Sequence, residues 1–175
     1  ESLGVELNQL DLPFQGLLPG LLSRKFDLMA TSTSINAERA ANFAYTRPTG
    51  TAMVMVLARD GDDSIGELGD LNGKVVGTQL ASVAQPKLEA FDARLQKEGG
   101  AGIRETKLFT SFPDTHVALA SGQVDAIAIP SPTAGVLMRK VPDTFKVIGP
   151  ISDPAYLAWV VHPDNGDLRD YINAR

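Results

Sequence analysis

Strand-like and helix-like stretches alternate almost throughout this chain, and this alternation limits its fold more than any other feature. Short apolar runs predict strands, and apolar residues at helical spacing between them predict helices. The predicted strands are residues 5–10, 26–30, 51–59, 74–78, 106–109, 125–129, 146–148 and 155–161. The predicted helices are residues 14–24, 36–43, 82–97, 114–120 and 133–139, and a last one opens at Leu168. Strands that alternate with helices indicate an α/β fold with mainly parallel sheets.

Two segments in different halves of the chain follow the same plan. Residues 21–30 and 119–128 each end a helix, turn through a few polar residues and enter a buried strand. This repeat predicts two lobes of like construction. The apolar runs 51–59 and 155–161 flank the second copy, so we expect them to be two strands that cross between the lobes.

The two crossings divide the chain into two predicted lobes. The first lobe is residues 1–57 plus 152–175, and the second is residues 58–151. Two α/β lobes joined in this way enclose a cleft, and clefts between lobes are where small ligands bind.

Composition excludes several classes of function. The net charge is -5 and no run of Lys and Arg exceeds two, which argues against nucleic acid or an anionic membrane surface as a partner. The chain has no cysteine, which excludes disulfides and thiolate chemistry. Its two histidines, His116 and His162, lack the spacing of a metal site, and we expect no cofactor.

No apolar run approaches the roughly 20 residues of a membrane span. Both ends read as interrupted elements, so we expect a piece of a longer protein.

A cluster of hydroxyl side chains, Thr31 to Ser34, follows the predicted strand 26–30 and precedes a helix start at Asn36. Open α/β sheets bind ligands at the carboxyl ends of their strands, and free N–H groups there suit an anion. Arg39 stands in the first turn of the helix, where the helix dipole disfavours a cation. Its planar guanidinium matches a carboxylate. From these residues alone, a polar loop with a solvated arginine stays open as the alternative.

Five longer motifs follow one another along the chain. They are LPFQGLLPGLLSRKFD, FDLMATSTSINAERAANFAYTRP, IGELGDLNGKVVGTQLAS, ALASGQVDAIAIPSPTA and AYLAWVVHPDNGDLRDYIN. In this order they resemble the bacterial extracellular solute-binding proteins of the polar amino acid type, family 3, which are receptor components of ABC importers. The resemblance covers essentially all 175 residues, although the family usually has more chain at both ends. It implies a type II periplasmic-binding-protein-like fold whose two lobes close by a hinge on a small ligand.

The resemblance also implies which residues bind the ligand. Arg39 matches the arginine that grips the ligand's carboxylate, and Ser34 and Ser32 match groups beside it. Ser82, at a helix start in the second lobe, matches a further carboxylate contact. Phe14 matches an aromatic residue that packs against the ligand, with an ordinary core phenylalanine as the alternative.

Two departures from the family pattern concern the ligand. The second-lobe strand of the family normally ends in an acid that pairs with the ligand's α-ammonium, but this chain has Pro130 there, followed by Ser131. A buried ammonium without a counter-charge is costly. The expected ligand is a small carboxylate, an amino acid or an organic acid, and an organic or aromatic carboxylate fits better than a standard amino acid. The second departure is the run Ala81-Ser82-Val83, which stands where the family often has a glycine-rich turn, and it predicts a tighter anion cradle.

The resemblance implies an inner-membrane ABC permease as partner and a periplasmic or extracellular location, with a lipid anchor as one form of attachment. It implies no enzymatic activity. Two alternatives use the same fold: a ligand-sensing domain of a membrane receptor, and an enzyme like cyclohexadienyl or arogenate dehydratase. The enzyme needs a well-positioned acid in the cleft. If a strand of the first lobe is missing, its open sheet edge predicts pairing with another copy of the chain.

Overall fold

The computed structural model describes residues 4–175 and contains two sheets, each packed against helices. The strands are Leu28–Ser34 (β1), Ala44–Tyr45 (β2), Gly50–Ala52 (β3), Val54–Arg59 (β4), Val75–Gln79 (β5), Glu105–Phe109 (β6), Ala126–Pro130 (β7), Phe145–Pro150 (β8) and Ala155–Val161 (β9). The helices are Phe14–Leu22 (α1), Ala37–Ala40 (α2), Ala84–Lys97 (α3), Phe112–Ala120 (α4), Ser131–Lys140 (α5) and Gly166–Asn173 (α6). No helix within residues 4–175 has the length and apolar character needed to cross a membrane.

The four-stranded unit consists of β1, β2, β3 and β9 with α1, α2 and α6. Strand β9 is the hub of this sheet, because β1, β2 and β3 each pair with it in the antiparallel direction. Leu21 of α1, Met29 of β1 and Val160 of β9 form its buried core. Strand β1 lies at one edge of the sheet.

The five-stranded unit contains β4 to β8 in the order β6-β5-β7-β4-β8, with α3, α4 and α5. Helix α3 covers one face of the sheet, and α4 and α5 cover the other. Strand β4 is buried on both faces: Val54 and Val56 pack on the α3 side, and Leu57 packs on the α4 side. A strand covered on both faces reads as a continuous apolar run, which is why this stretch is evident in the sequence.

The predicted α/β architecture is confirmed, but the sheets are mixed instead of mainly parallel. Strand β5 runs parallel to β6 and β7, whereas β4 is antiparallel to β7 and β8. The four-stranded sheet pairs in the antiparallel direction throughout. Apolar runs reveal strands without their direction, because direction depends on the partner that the connecting chain brings alongside.

The chain passes between the two sheets at Met53 and at residues 151–154, outside the strands. The first passage lies inside the predicted run 51–59, but this run is two strands instead of one, because β3 ends at Ala52 in one sheet and β4 starts at Val54 in the other. The second predicted crossing strand, residues 155–161, is wrong as a crossing, because β9 pairs only within the four-stranded sheet.

The predicted lobe boundary after residue 57 falls inside β4, which pairs in the five-stranded sheet over its whole length. Met53 is therefore the better boundary. The division into lobes of residues 1–57 with 152–175 and residues 58–151 stays a prediction, with this one limit shifted.

The two passages between the sheets lie side by side and are hydrogen-bonded to each other. Val54 N donates to Ser152 Oγ at 2.9 Å, and Ile151 N donates to Val54 O at 2.8 Å. Met53 N donates to Ser131 Oγ at 3.2 Å, and Ser131 N donates to Met53 O at 2.8 Å. The N–H and C=O of Met53 and the N–H of Ile151 are thus hydrogen-bonded.

The predicted strand over residues 5–10 is wrong. Residues 4–13 form neither strand nor helix in the part of the chain that the structure describes, and Val5 and Leu7 are 68% and 87% exposed. Alternating apolar residues make a strand only when another strand accepts and donates its ladder of hydrogen bonds. No described strand pairs with this segment.

The repeated plan of the two halves extends to individual hydrogen bonds. After α1, Lys25 N donates to Gly20 O and Arg24 N to Leu21 O; after α4, Gln123 N donates to Ala118 O and Gly122 N to Leu119 O. Both patterns are Schellman helix ends, which require a left-handed residue. Arg24 has φ +56° and Gly122 has φ +77°, so only one copy uses the residue that favours this conformation.

Gly122→Ala should therefore lower the free energy of unfolding by about 1 kcal/mol, because a Cβ disfavours positive φ. A Cβ at Gly122 meets no atom within 4 Å, so backbone conformation alone produces the effect. The measurement is urea denaturation, with Gly61→Ala as control, because Gly61 is equally open and has no positive φ. Equal losses in the two variants would contradict this account.

Candidate functional site

Arg39 lies where the two units meet, and local hydrogen bonds hold it there. Asn36 begins the one-turn helix α2, and its Oδ1 accepts the Arg39 N–H at 2.8 Å. The guanidinium Nη1 donates to Thr33 Oγ1 at 3.0 Å within the four-stranded unit. Nη2 donates to the carbonyl of Ala81 at 3.4 Å, in the turn between β5 and α3. Arg39 therefore contacts both units through its guanidinium.

The hydroxyl cluster divides into an exposed pair and a buried pair. Thr31 and Ser32 are exposed, whereas Thr33 and Ser34 are 3% and 4% exposed. The register of β1 against β9 shifts between Met29 and Thr33, so the strand is irregular at the cluster. Ser32 Oγ lies 3.4 Å from Thr49 Oγ1. The irregularity turns Thr33 inward, where its hydroxyl fixes one arm of Arg39.

Ser82 lies on the five-stranded side of the site, and its hydrogen-bonding groups are engaged within their own turn. Its Oγ donates to Gln79 O at 2.8 Å and accepts from Ala84 N at 3.2 Å, and its backbone N–H also faces Gln79 O at 3.3 Å. Ser82 is 4% exposed. A ligand carboxylate would have to exchange one of these bonds to be held by Ser82.

A cavity of about 300 Å³ separates the two units beside Arg39. Its volume is at the lower end of the range of small-molecule sites. The four-stranded unit contributes Leu18, Asn36, Glu38, Arg39, Asn42 and Phe43, and the five-stranded unit contributes Ala81, Ser82, Val83, Gln85 and Pro86. The charged lining residues are Glu38 and Arg39, which lets the cavity hold a small anion or a zwitterion.

Of the six predicted site residues, the structure brings Arg39 and Ser82 to this cavity. Among the described residues, the lining does not include Phe14, Ser32, Ser34 or Pro130. Phe14 opens α1 and packs on the core of the four-stranded unit, which matches the alternative of a core phenylalanine. Pro130 ends β7 opposite Val54. The roles of these residues in ligand binding stay predictions.

Several residues at the cavity were not singled out from the sequence. Thr33 holds Arg39, and Gln85 accepts the N–H of Ala81 at 3.0 Å. Glu38 and Asn42 line the cavity from α2 and the turn after it. Glu38 and Asn42 are four residues apart, a spacing that puts two side chains next to each other on a helical surface. With Arg39 between them in sequence, this spacing could have indicated that they lie at the same site.

The surroundings of Arg39 include an aromatic hydroxyl without a partner. Tyr45 Oη is buried and has no hydrogen-bond partner among the described residues. Burial raises the pKa of Tyr45, and the positive charge of Arg39 opposes that rise. The hydroxyl therefore stays protonated near neutral pH. Residues 4–175 contain no group of three or more His, Cys, Asp or Glu side chains able to hold a metal ion.

His116 lies in α4, outside the lining of the cavity, and is half-buried. Its Nε2 is buried and has no hydrogen-bond partner in the described part of the chain. Burial lowers the pKa of His116 below its usual value. The folded protein therefore keeps this imidazole neutral more strongly than the unfolded chain does.

Acidification should destabilise the protein through His116. As pH falls below about 6.5, the unfolded chain binds a proton at this position before the folded protein does, so the free energy of unfolding decreases. His116→Leu should reduce the loss of stability between about pH 7.5 and about pH 5, measured by urea denaturation. His162→Gln is the control, and an unchanged pH dependence in His116→Leu would contradict the prediction.

Residues 1–175 match the family described as bacterial extracellular solute-binding proteins, family 3. The probable histidine-binding protein of Campylobacter jejuni is 27% identical over 141 residues, covering 80% of this chain and 51% of that protein. The L-cystine-binding protein TcyJ of Escherichia coli is 26% identical over 174 residues, covering 99% of this chain and 62% of that protein. The chain thus spans between half and two thirds of the length of these relatives.

The fold of this chain is similar to that of a solved amino-acid-binding protein. The arginine-bound form of truncated ArgBP from T. maritima has a TM-score of 0.86 and 28% identity, covering 99% of this chain and 77% of that chain. The likeness confirms the predicted periplasmic-binding-protein-like fold. With the match of every residue to one family, the conclusion is that this chain belongs to the bacterial extracellular solute-binding proteins, family 3.

Proposed function

We propose that this chain binds a small carboxylate-bearing ligand between its two units, as the receptor part of an amino-acid or organic-acid uptake system. The observation that carries the proposal is Arg39, whose guanidinium spans from Thr33 to Ala81 beside the cavity. A ligand held there would touch both units, so its binding would favour closure. Relatives named as histidine-binding and L-cystine-binding proteins support a receptor over an enzyme.

The chemistry of Arg39 favours a carboxylate over other anions of similar size. A guanidinium has five N–H donors in a planar fork, and two of its nitrogens make the hydrogen bonds to Thr33 and Ala81. The remaining donors fit the two oxygens of a carboxylate. Each charge-assisted bond contributes about 1.5–3 kcal/mol. Ser82, Ser34 and Ser32 are the further carboxylate partners that we propose, with Phe14 against the ligand's apolar part.

We infer a ligand without an α-ammonium from Pro130, which matches the position of the family's acid although it lies outside the lining of this cavity. Pro130 carries no charge and no N–H at the end of β7, and Glu38 is the single acid among the residues that line the cavity in the described chain. Glu38 is exposed, so solvent screens the charge that it could offer to an ammonium. We infer that an organic or aromatic carboxylate binds better than the corresponding amino acid.

The test is a thermal-shift panel that pairs each amino acid with its deaminated analogue, for example L-phenylalanine with 3-phenylpropanoate and L-histidine with imidazole-propionate. The analogues should raise the melting temperature at least as much as the amino acids. Stronger stabilisation by the amino acids would contradict the inference from Pro130. In that case, if Glu38→Gln no longer shows stronger stabilisation by the amino acids, Glu38 is the partner of their ammonium group.

The receptor proposal includes an ABC permease in the inner membrane that recognises the closed form, and a periplasmic or extracellular location, with lipid anchoring as a further proposal. Prephenate separates this function from the dehydratase alternative. A receptor leaves prephenate intact, and its consumption by the purified protein would favour the enzyme. Addition of the tightest-binding ligand to membranes that contain the permease should stimulate ATP hydrolysis only with the receptor present.

We also propose self-association through β1, which lies at the edge of its sheet. An open strand edge favours pairing with a second copy. Sedimentation at rising protein concentration should detect a dimer that Thr31→Pro abolishes, because proline removes an edge N–H. A monomer at every concentration would overturn this proposal.

A further inference from the structure

Ala81 has φ +60° in the turn that joins β5 to α3. The left-handed region suits glycine and disfavours residues with a Cβ. Ala81 therefore requires neighbouring contacts that hold it in this conformation. Such positions collect at ligand-binding and switching sites, and this one borders the cavity.

Gln85 supplies the contact that holds Ala81. Its Oε1 accepts the N–H of Ala81 at 3.0 Å, and its Nε2 donates to Glu89 Oε1 at 3.1 Å, one turn further along α3. The second bond fixes the orientation of the amide, so its oxygen faces the turn. The N–H of Ala81 is satisfied only while the turn keeps its present shape.

The shape of this turn decides where the Ala81 carbonyl points. It accepts from Arg39 Nη2 at 3.4 Å, and Thr33 holds the other arm of Arg39 at 3.0 Å. The bridge between the units thus consists of protein groups alone: Thr33, Arg39 and the Ala81 carbonyl. We propose that Gln85 is a positioning residue that holds Ala81 left-handed, so that the Ala81 carbonyl and Arg39 join the two units before ligand binds.

The hydrogen bond between Arg39 and the Ala81 carbonyl sets the fraction of molecules that are already closed before a ligand binds. Apparent affinity for any ligand of the closed form scales with that fraction. Loss of one such hydrogen bond should lower the ratio of closed to open molecules by about threefold to tenfold. Gln85 touches neither Thr33 nor Arg39 in the hydrogen bonds of the structure, so its effect passes through Ala81.

The chain lacks cysteine, which permits spin labels at chosen positions. Lys25→Cys labels an exposed position beside α1 in the four-stranded unit, and Lys97→Cys labels an exposed position in α3 of the five-stranded unit. Pulsed electron paramagnetic resonance then gives the distribution of distances between the units in ligand-free protein. This measurement is independent of the proposed ligand, so failure of one proposal is distinguishable from failure of the other.

Gln85→Ala should shift the distance distribution towards the open form. The exchange of Gln85→Glu with Glu89→Gln should restore it, because an acceptor again faces Ala81, a donor again supports it, and net charge is unchanged. Gln96→Ala is the matched control: Gln96 makes the same type of bond within α3, to Asp92 at 3.1 Å, away from the cavity. A distribution in Gln85→Ala equal to that of the original protein would overturn the proposal.

Ala81→Gly gives a second, independent test. Glycine adopts positive φ without help, so adding Gln85→Ala in the Ala81→Gly background should shift the distribution less than Gln85→Ala does alone. Equal shifts in both backgrounds would show that Gln85 acts elsewhere. If Gln85→Ala does not fold, Glu89→Ala, which frees the Gln85 amide without touching the turn, should give a smaller shift in the same direction, and no shift would overturn the proposal.

Discussion

Arg39→Ala should weaken binding of the best carboxylate in the ligand panel by about 100-fold or more, because it removes at least two charge-assisted hydrogen bonds. Isothermal titration calorimetry measures the loss. Arg39→Lys should recover only part of the affinity, since an ammonium keeps the charge but lacks the planar fork. The same variants should also lose the bridge to the Ala81 carbonyl.

The control for charge is Arg104→Ala. Arg104 is exposed in the five-stranded unit and does not line the cavity, so its loss changes net charge equally. Its affinity should stay within about threefold of the original protein, because exposed charges at a distance are screened. Affinity in Arg39→Ala similar to that in Arg104→Ala would remove the basis of the receptor proposal, because no ligand would then be held at this cavity by Arg39.

Arg59→Met should lower the free energy of unfolding by about 2–4 kcal/mol, the second large effect that we expect. Arg59 ends β4, with a side chain 28% exposed. Its Nη1 donates to Leu119 O at 3.1 Å and to Val124 O at 2.7 Å, on either side of the turn between α4 and β7. Its Nη2 donates to Asp62 Oδ2 at 2.8 Å. Methionine fills similar space but leaves all three acceptors without this donor.

Urea denaturation tests this prediction, with Arg139→Met as the control, because Arg139 is exposed in the last turn of α5. Two hydrogen bonds from Ser64 and then the Arg59 guanidinium lower the pKa of Asp62. Asp62 thus adds stability at neutral pH that is lost as pH falls into the acid range, and part of this loss should disappear in Arg59→Met. A destabilisation no greater than that of Arg139→Met would contradict the structural role of Arg59.

Local patterns in the sequence were sufficient for most elements of the five-stranded unit. Helix α3 has apolar residues at helical spacing and β4 is a continuous apolar run, and both are buried as the pattern predicts. The strand predicted over residues 5–10 has the same quality of pattern but no described partner. Pairing is a property of two segments, so a pattern in one of them cannot establish it.

The sequence was sufficient to predict those site residues whose type is unusual at its position or matches a family motif. Arg39 is unusual for a first helical turn, and Ser82 was predicted from its position in a motif of the second lobe. The supports of Arg39 were not predictable. Thr33 reaches it through an irregular strand register, and Ala81 reaches it through a left-handed backbone conformation. Both depend on backbone geometry that an amino-acid pattern does not specify for residues other than glycine.

The paired passages at Met53 and residues 151–154 have a mechanical consequence. Two covalent links that run side by side, cross-tied through Ser152 and Val54, resist torsion and sliding of one unit against the other. If the units close by a hinge as proposed, the line through both passages is the axis expected for the rotation. A rotation about one fixed axis would move Arg39 and Ala81 apart along one path, so one labelled distance would be enough to follow it.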